Sequence, residues 1–144
     1  MSAASAGPGA RAALAALTPE ARAALGGPEI EIGAFPFRVG RESRKMKWTE
    51  HGIVAERRDP ESRPNNDLYL VEVDEVMHLS REHFQIGRET EGYVLEDRRS
   101  TCGTIVEGEV VGGQHAGGRI PLRDGDVIIA GTAHSPWIFK FKAR

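Results

Sequence analysis

Cysteine is nearly missing from this chain of 144 residues, which holds Cys102 alone. A single thiol excludes an intrachain disulfide and any zinc site built on paired cysteines. It fits a reducing compartment, so a cytoplasmic protein is expected. Long hydrophobic runs are missing as well. The apolar run Ala12–Leu17 is too short to cross a membrane, follows no strongly basic segment and is closed by Thr18-Pro19-Glu20. Neither a membrane span nor an export signal is expected from it. An excess of one charge is also lacking, since 19 basic and 21 acidic residues leave a net charge of −2. That balance argues against a general nucleic-acid binder and leaves room for a local basic patch. Such a patch exists in the sequence. Residues 38–63 hold eight Arg or Lys against five Asp or Glu, whereas residues 72–97 hold eight acids against two bases.

The length allows one good core with an appendage. Residues 1–27 are rich in Ala and Gly, and beyond Met1 offer only Leu14, Leu17 and Leu25 as sizeable apolar groups. They are expected to be a flexible tail. Within it, Thr18-Pro19-Glu20 carries the N-cap and N1 signature of a short helix that ends at Gly26-Gly27, and its docking stays open. Helix signals vanish after residue 27. From residue 28 to 144, short alternating segments with Gly, Pro and Asp punctuation predict an all-β domain, a sandwich of two antiparallel sheets. Nine strands are expected, near Ile30–Ile32, Phe37–Arg41, Leu68–Val73, His83–Ile86, Tyr93–Glu96, Thr104–Val106, Arg119–Leu122, Val127–Ile129 and Trp137–Lys142. Residues 42–65 form a long polar insertion. A short strand or hairpin is expected near Gly52–Glu56, then a loop through Asp59-Pro60 and Arg63-Pro64.

Four short motifs stand beside predicted strand ends. They are Gly40-Arg41, Ser80-Arg81-Glu82-His83, Ser100-Thr101-Cys102-Gly103-Thr104, and Leu122-Arg123-Asp124-Gly125-Asp126. Singly each reads as a strand end, a cap or a turn. Their order and placement resemble the forkhead-associated (FHA) domain, a phosphothreonine-peptide reader, and in particular a small stand-alone member of bacterial type. The resemblance implies an FHA-like β-sandwich. It also implies a binding module for phosphorylated proteins in Ser/Thr-kinase signalling, whose partners are kinases or their substrates, with no cofactor, metal, membrane or nucleic acid.

A phosphothreonine carries nearly two negative charges and three acceptor oxygens, so its reader must present a cation and several fixed donors. Arg41 can fork two hydrogen bonds to phosphate, with Gly40 letting the backbone turn off the strand. Ser80 offers a hydroxyl, Arg81 a second cation, and Thr101 a hydroxyl or backbone N–H. The resemblance implies the same assignment. It further implies that His83 holds the loop carrying Ser80 and Arg81 through backbone hydrogen bonds, and that Gly103 supports the site.

The chain departs from the family at two places. Cys102 stands where the family has the Asn that grips the peptide backbone, and Glu107-Gly108 where a second Asn-Gly is common. Two other readings remain. An FHA fold that has lost phosphate dependence would work as a plain interaction or assembly module. A nucleophilic enzyme would need Cys102 beside His78, His83 or His115, and no oxyanion signature accompanies them.

Overall fold

The computed structural model describes residues 11–42, 46–50, 52–55, 65–72 and 77–144. In chain order it shows β1 (Ala12–Ala16), α1 (Pro19–Leu25), β2 (Glu29–Ile32), β3 (Phe37–Arg41), β4 (Met46–Thr49) and β5 (Gly52–Ala55). Then follow β6 (Leu68–Leu70), β7 (Phe84–Glu89), β8 (Gly92–Asp97) and β9 (Thr104–Val106). The last strands are β10 (Glu109–Val111), β11 (Gly118–Leu122), β12 (Val127–Ala130) and β13 (Ile138–Ala143). One sheet has the order β10-β9-β12-β13-β1-β2 and the other β11-β8-β7-β3-β6, while β4 and β5 form a separate hairpin.

Alternation builds the core between the two sheets. Leu14, Ile128, Phe139 and Phe141 of the first sheet and Val39, Leu70, Phe84, Ile86 and Leu95 of the second are all fully buried. Tyr93 packs edge-on to Phe141 across the interface, with ring centroids 5.0 Å apart. The ladders are antiparallel except for β3 with β6, which runs parallel from Val39↔Leu68 to Arg41↔Leu70. A parallel pair needs a crossover, and the insertion supplies it. The hairpin predicted inside the insertion is present as β4 and β5, whereas residues 56–64 lie outside the described residues. Strand β6 ends at Leu70, short of the expected Val73, which also lies outside them.

The expectation of a flexible tail through residue 27 is corrected by β1. This strand lies between two partners, pairing with β13 over Ala12–Ala16 and with β2 over Ala12–Ala15. Leu14 is fully buried. Composition misjudges this segment because Ala has low strand propensity and little surface to bury, whereas a strand paired on both sides is held by its backbone.

Helix α1 follows its capping signals and docks. Thr18 Oγ1 accepts from the Ala21 N–H at 3.2 Å and donates to the Pro136 carbonyl, and Ala21 is fully buried. Thr18→Ala removes both bonds and should lower stability by about 1–2 kcal/mol, read as a shift in urea midpoint at unchanged slope. An unchanged midpoint would mean that the cap does not hold the helix to the sandwich.

Strand β10 is a second element beyond the nine expected. Glu107 and Gly108 both have positive φ, 49° and 83°, the pattern of a two-residue type I′ hairpin turn between β9 and β10. The Glu107 carboxylate then turns away to accept from the Val127 N–H at 2.7 Å. This departure from Asn-Gly therefore sits in a turn, where backbone conformation sets the demand.

Candidate anion-binding site

Three of the four motif segments meet at one end of the sandwich. The fourth forms the turn between β11 and β12, where Asp126 accepts from the Arg123 N–H and Asp124 from the Ala143 N–H. The end of β3, the segment 77–83 entering β7, and the segment 98–103 between β8 and β9 are joined by residues 112–117. Together they bound a cleft of about 660 Å³. Arg41, Ser80, Arg81, Thr101 and Cys102 all line it, and His115 does so as well.

Backbone bonds clamp β3 to the Ser80 corner, with the Arg41 N–H donating to the Ser80 carbonyl at 2.9 Å and the His83 N–H to the Val39 carbonyl at 3.0 Å. Gly40 is required here for close approach. A Cβ on it would lie 2.1 Å from the Arg81 carbonyl oxygen and 2.6 Å from Asn66 Nδ2. Its φ is not in the left-handed region, so the reason differs from the tight turn expected from sequence. Asn66 Nδ2 donates to the same Arg81 carbonyl at 2.7 Å, and Arg98 donates to Asn66 Oδ1 at 2.8 Å and to Glu82 at 3.1 Å.

His83 joins the two loops. The Ser80 N–H donates to its Nδ1 at 3.0 Å, so Nε2 carries the proton and donates to the Gly103 carbonyl at 2.7 Å. The ring is fully buried, and that burial lowers its pKa below the usual 6.5. The Gly103 carbonyl and the nearby Asp97 and Glu72 oppose the shift without reversing it. A neutral imidazole is the form that both bonds require. A second link runs from the Thr101 N–H to Ser80 Oγ at 3.0 Å.

Asp97 organises the Thr101 loop from beneath. Almost fully buried, its carboxylate accepts from the Ser100 N–H, the Ser100 hydroxyl and the Thr104 hydroxyl at 2.9, 2.6 and 2.8 Å. Ser100 Oγ in turn accepts from the Gly103 N–H at 2.9 Å. Glu72 does the same for the other loop, accepting from the His78 and Leu79 N–H groups and from Trp137 Nε1. Sequence reading singles out neither acid. Asp97 is close in sequence to the groups it holds and carries a weak local signal, whereas Glu72 reaches Trp137 across 65 positions and carries none.

Within this frame Arg41 Nε is buried without a hydrogen-bond partner among the described residues. A buried donor left unpaired is costly, and the residue that carries it is one that lines the cleft. Ser80 Oγ accepts from Thr101 and keeps its own proton to donate, and Thr101 is exposed. The chemistry collected here suits a compact oxyanion. Cys102 donates to the Met77 carbonyl at 3.7 Å, both ring nitrogens of His83 are engaged, and His78 faces Glu72. Among the described residues no cluster of His, Cys, Asp and Glu could hold a metal.

Solved structures share this fold. The FHA domain of the CT664 protein from Chlamydia trachomatis is 22% identical with a TM-score of 0.55, over 92% of this chain and 96% of that one. Yeast Pml1p is 19% identical with a TM-score of 0.61, over 97% and 86%. Mycobacterium tuberculosis EmbR, solved with a low-affinity phosphopeptide, is 22% identical with a TM-score of 0.55, over 96% of this chain and 26% of that one. At such identities the likeness establishes the fold alone. No curated protein matches the sequence. The FHA domain family profile, however, matches residues 38–131, from the strand that ends at Arg41 to the loop that follows β12, and on that match the chain belongs to the FHA domain family.

Proposed function

We propose that this chain is a phosphothreonine-dependent peptide-binding module. The observation that carries the reading is Arg41, a guanidinium with no hydrogen bond among the described residues, lining one cleft together with Ser80, Arg81 and Thr101. In this reading Arg41 and Arg81 neutralise the phosphate, Ser80 and Thr101 donate to it, and Cys102 faces the peptide backbone. Gly40, His83 and Gly103 hold the loops in place. The partner is a protein phosphorylated by a Ser/Thr kinase, met in the cytoplasm. Among the described residues no helix is long and apolar enough to cross a membrane. EmbR supports the reading as a protein of the same fold solved with a phosphopeptide. An oriented phosphopeptide library tests it, with selection of phosphothreonine at the fixed position as the expected result. Retention of the unphosphorylated library to the same extent would favour the second reading, an interaction module without phosphate dependence.

Cys102 is the observation that favours that second reading, and it gives a graded prediction. An Asn at this place can donate to and accept from a peptide backbone at once, whereas a thiol does both poorly. Two neutral bonds are worth about 0.5–1.5 kcal/mol each. Cys102→Asn should therefore tighten a library-selected phosphothreonine peptide about fivefold or more in a calorimetric titration. No gain in a folded variant would mean that Cys102 does not face the peptide.

A further inference from the structure

Beyond the phosphate contacts, the rim of the cleft holds a second basic device. Arg99 and His115 are locked to each other by reciprocal bonds, with Arg99 Nε donating to the His115 carbonyl at 3.1 Å and His115 Nδ1 lying 3.2 Å from the Arg99 carbonyl. Since a carbonyl only accepts, Nδ1 carries a proton. Nε2 is left facing Thr101 Oγ1 at 3.5 Å. The terminal nitrogens of Arg99 have no hydrogen-bond partner among the described residues, and Nε fixes the direction of the guanidinium.

This arrangement holds strain. Apart from Glu107 in its hairpin turn, the non-glycine residues with positive φ are Arg99 at 64°, Gln114 at 52° and His115 at 62°, all at this rim among the described residues. Non-glycine residues adopt that conformation at a cost, and such strain gathers at binding sites. The cleft is rich in cations. Arg41, Arg81, Arg98 and Arg99 line the cleft with Glu82 as the one carboxylate among the described residues, and Arg98 is engaged with that glutamate. Arg41 serves the phosphate, and Arg99, held in place by His115, adds a cation to the same cleft.

We propose that Arg99 and His115 form a second anion subsite beside Thr101, which takes a carboxylate or a further phosphate on the same phosphothreonine peptide. The proposal rests on the phosphopeptide reading and specifies its ligand class. The test is a calorimetric titration of three phosphothreonine peptides that differ only in their flanking residues. One set of flanks is neutral, one carries Asp, and one carries a second phosphorylated residue. Each peptide is titrated into the unchanged protein, Arg99→Asn and His115→Asn, asparagine being chosen because it tolerates the left-handed backbone.

The unchanged protein should bind one or both of the doubly anionic peptides about fivefold tighter than the neutral one, the upper end of what exposed charges contribute. Whichever peptide gains identifies the source of the anion. Both variants should lose this preference and still bind the neutral-flanked peptide within about twofold, which also shows that they fold. Equal affinity for all three peptides in the unchanged protein, or a preference that survives in both variants, would overturn the subsite while leaving the phosphothreonine reading standing. No binding of any of the three would overturn that reading itself.

Discussion

Replacing Arg41 by Ala should weaken a phosphothreonine peptide at least about tenfold without unfolding the protein. The guanidinium makes no hydrogen bond to another described residue, and its buried Nε is unpaired, so the side chain adds little to the free fold. The backbone N–H that holds the Ser80 carbonyl at 2.9 Å is kept by alanine. What disappears is the charged fork. A hydrogen bond to a charged group is worth about 1.5–3 kcal/mol, so even one lost bond reaches the tenfold mark. Calorimetric titration of both proteins, with urea denaturation of each, separates binding from folding. Unchanged affinity in a folded Arg41→Ala protein would show that the phosphate site is elsewhere.

The second large effect is expected at His83. His83→Ala removes a fully buried ring, leaves the Ser80 N–H unpaired and breaks one of two bonds to the Gly103 carbonyl, which also accepts from the Gly131 N–H. A cavity and an orphaned donor together should cost about 3–5 kcal/mol of stability, and peptide binding should fall as the two loops part. Glutamine carries one acceptor and one donor, so His83→Gln should recover part of both. The histidine also gives a pH signature. Because burial holds its folded-state pKa below 6.5, the unfolded chain takes up a proton first as pH falls, and acidification favours unfolding. The stabilising contribution is complete above about pH 6.5. It is lost as pH falls from there toward the lower folded-state pKa, by up to about 1.4 kcal/mol per pH unit. Urea midpoints at pH 7.5, 6.5 and 5.5 should therefore fall more steeply for the unchanged protein than for His83→Gln. Parallel pH profiles would mean that the ring is not held neutral.

The residues that line the cleft were legible in the sequence because each sits in a short local pattern at a strand end: Arg41 closes β3, and Ser80 and Arg81 form the corner before β7. Most of the sandwich was legible for a similar reason, since alternation in segments such as Trp137–Phe141 survives in one dimension, and Trp137, Phe139 and Phe141 are all buried. Strand β1 was not, because alanines alternate with alanines and its hold is backbone pairing on both sides. Glu107-Gly108 was read as a departure from a common Asn-Gly, and its positive φ values answer to a hairpin turn. The supports under the site were hidden by distance along the chain. Glu72 meets Trp137, and His115 meets Arg99 and Thr101, only once two sheets bring remote loops together.

The central claim, that this cleft reads a phosphorylated threonine, is met most directly by a paired calorimetric titration of one library-selected peptide with its threonine phosphorylated and unphosphorylated. The account predicts measurable binding of the phosphorylated peptide and at least about a hundredfold weaker binding of the other, since the loss of the phosphate removes the bonds to Arg41, Ser80 and Thr101 at once. Equal affinity for the two peptides would contradict it.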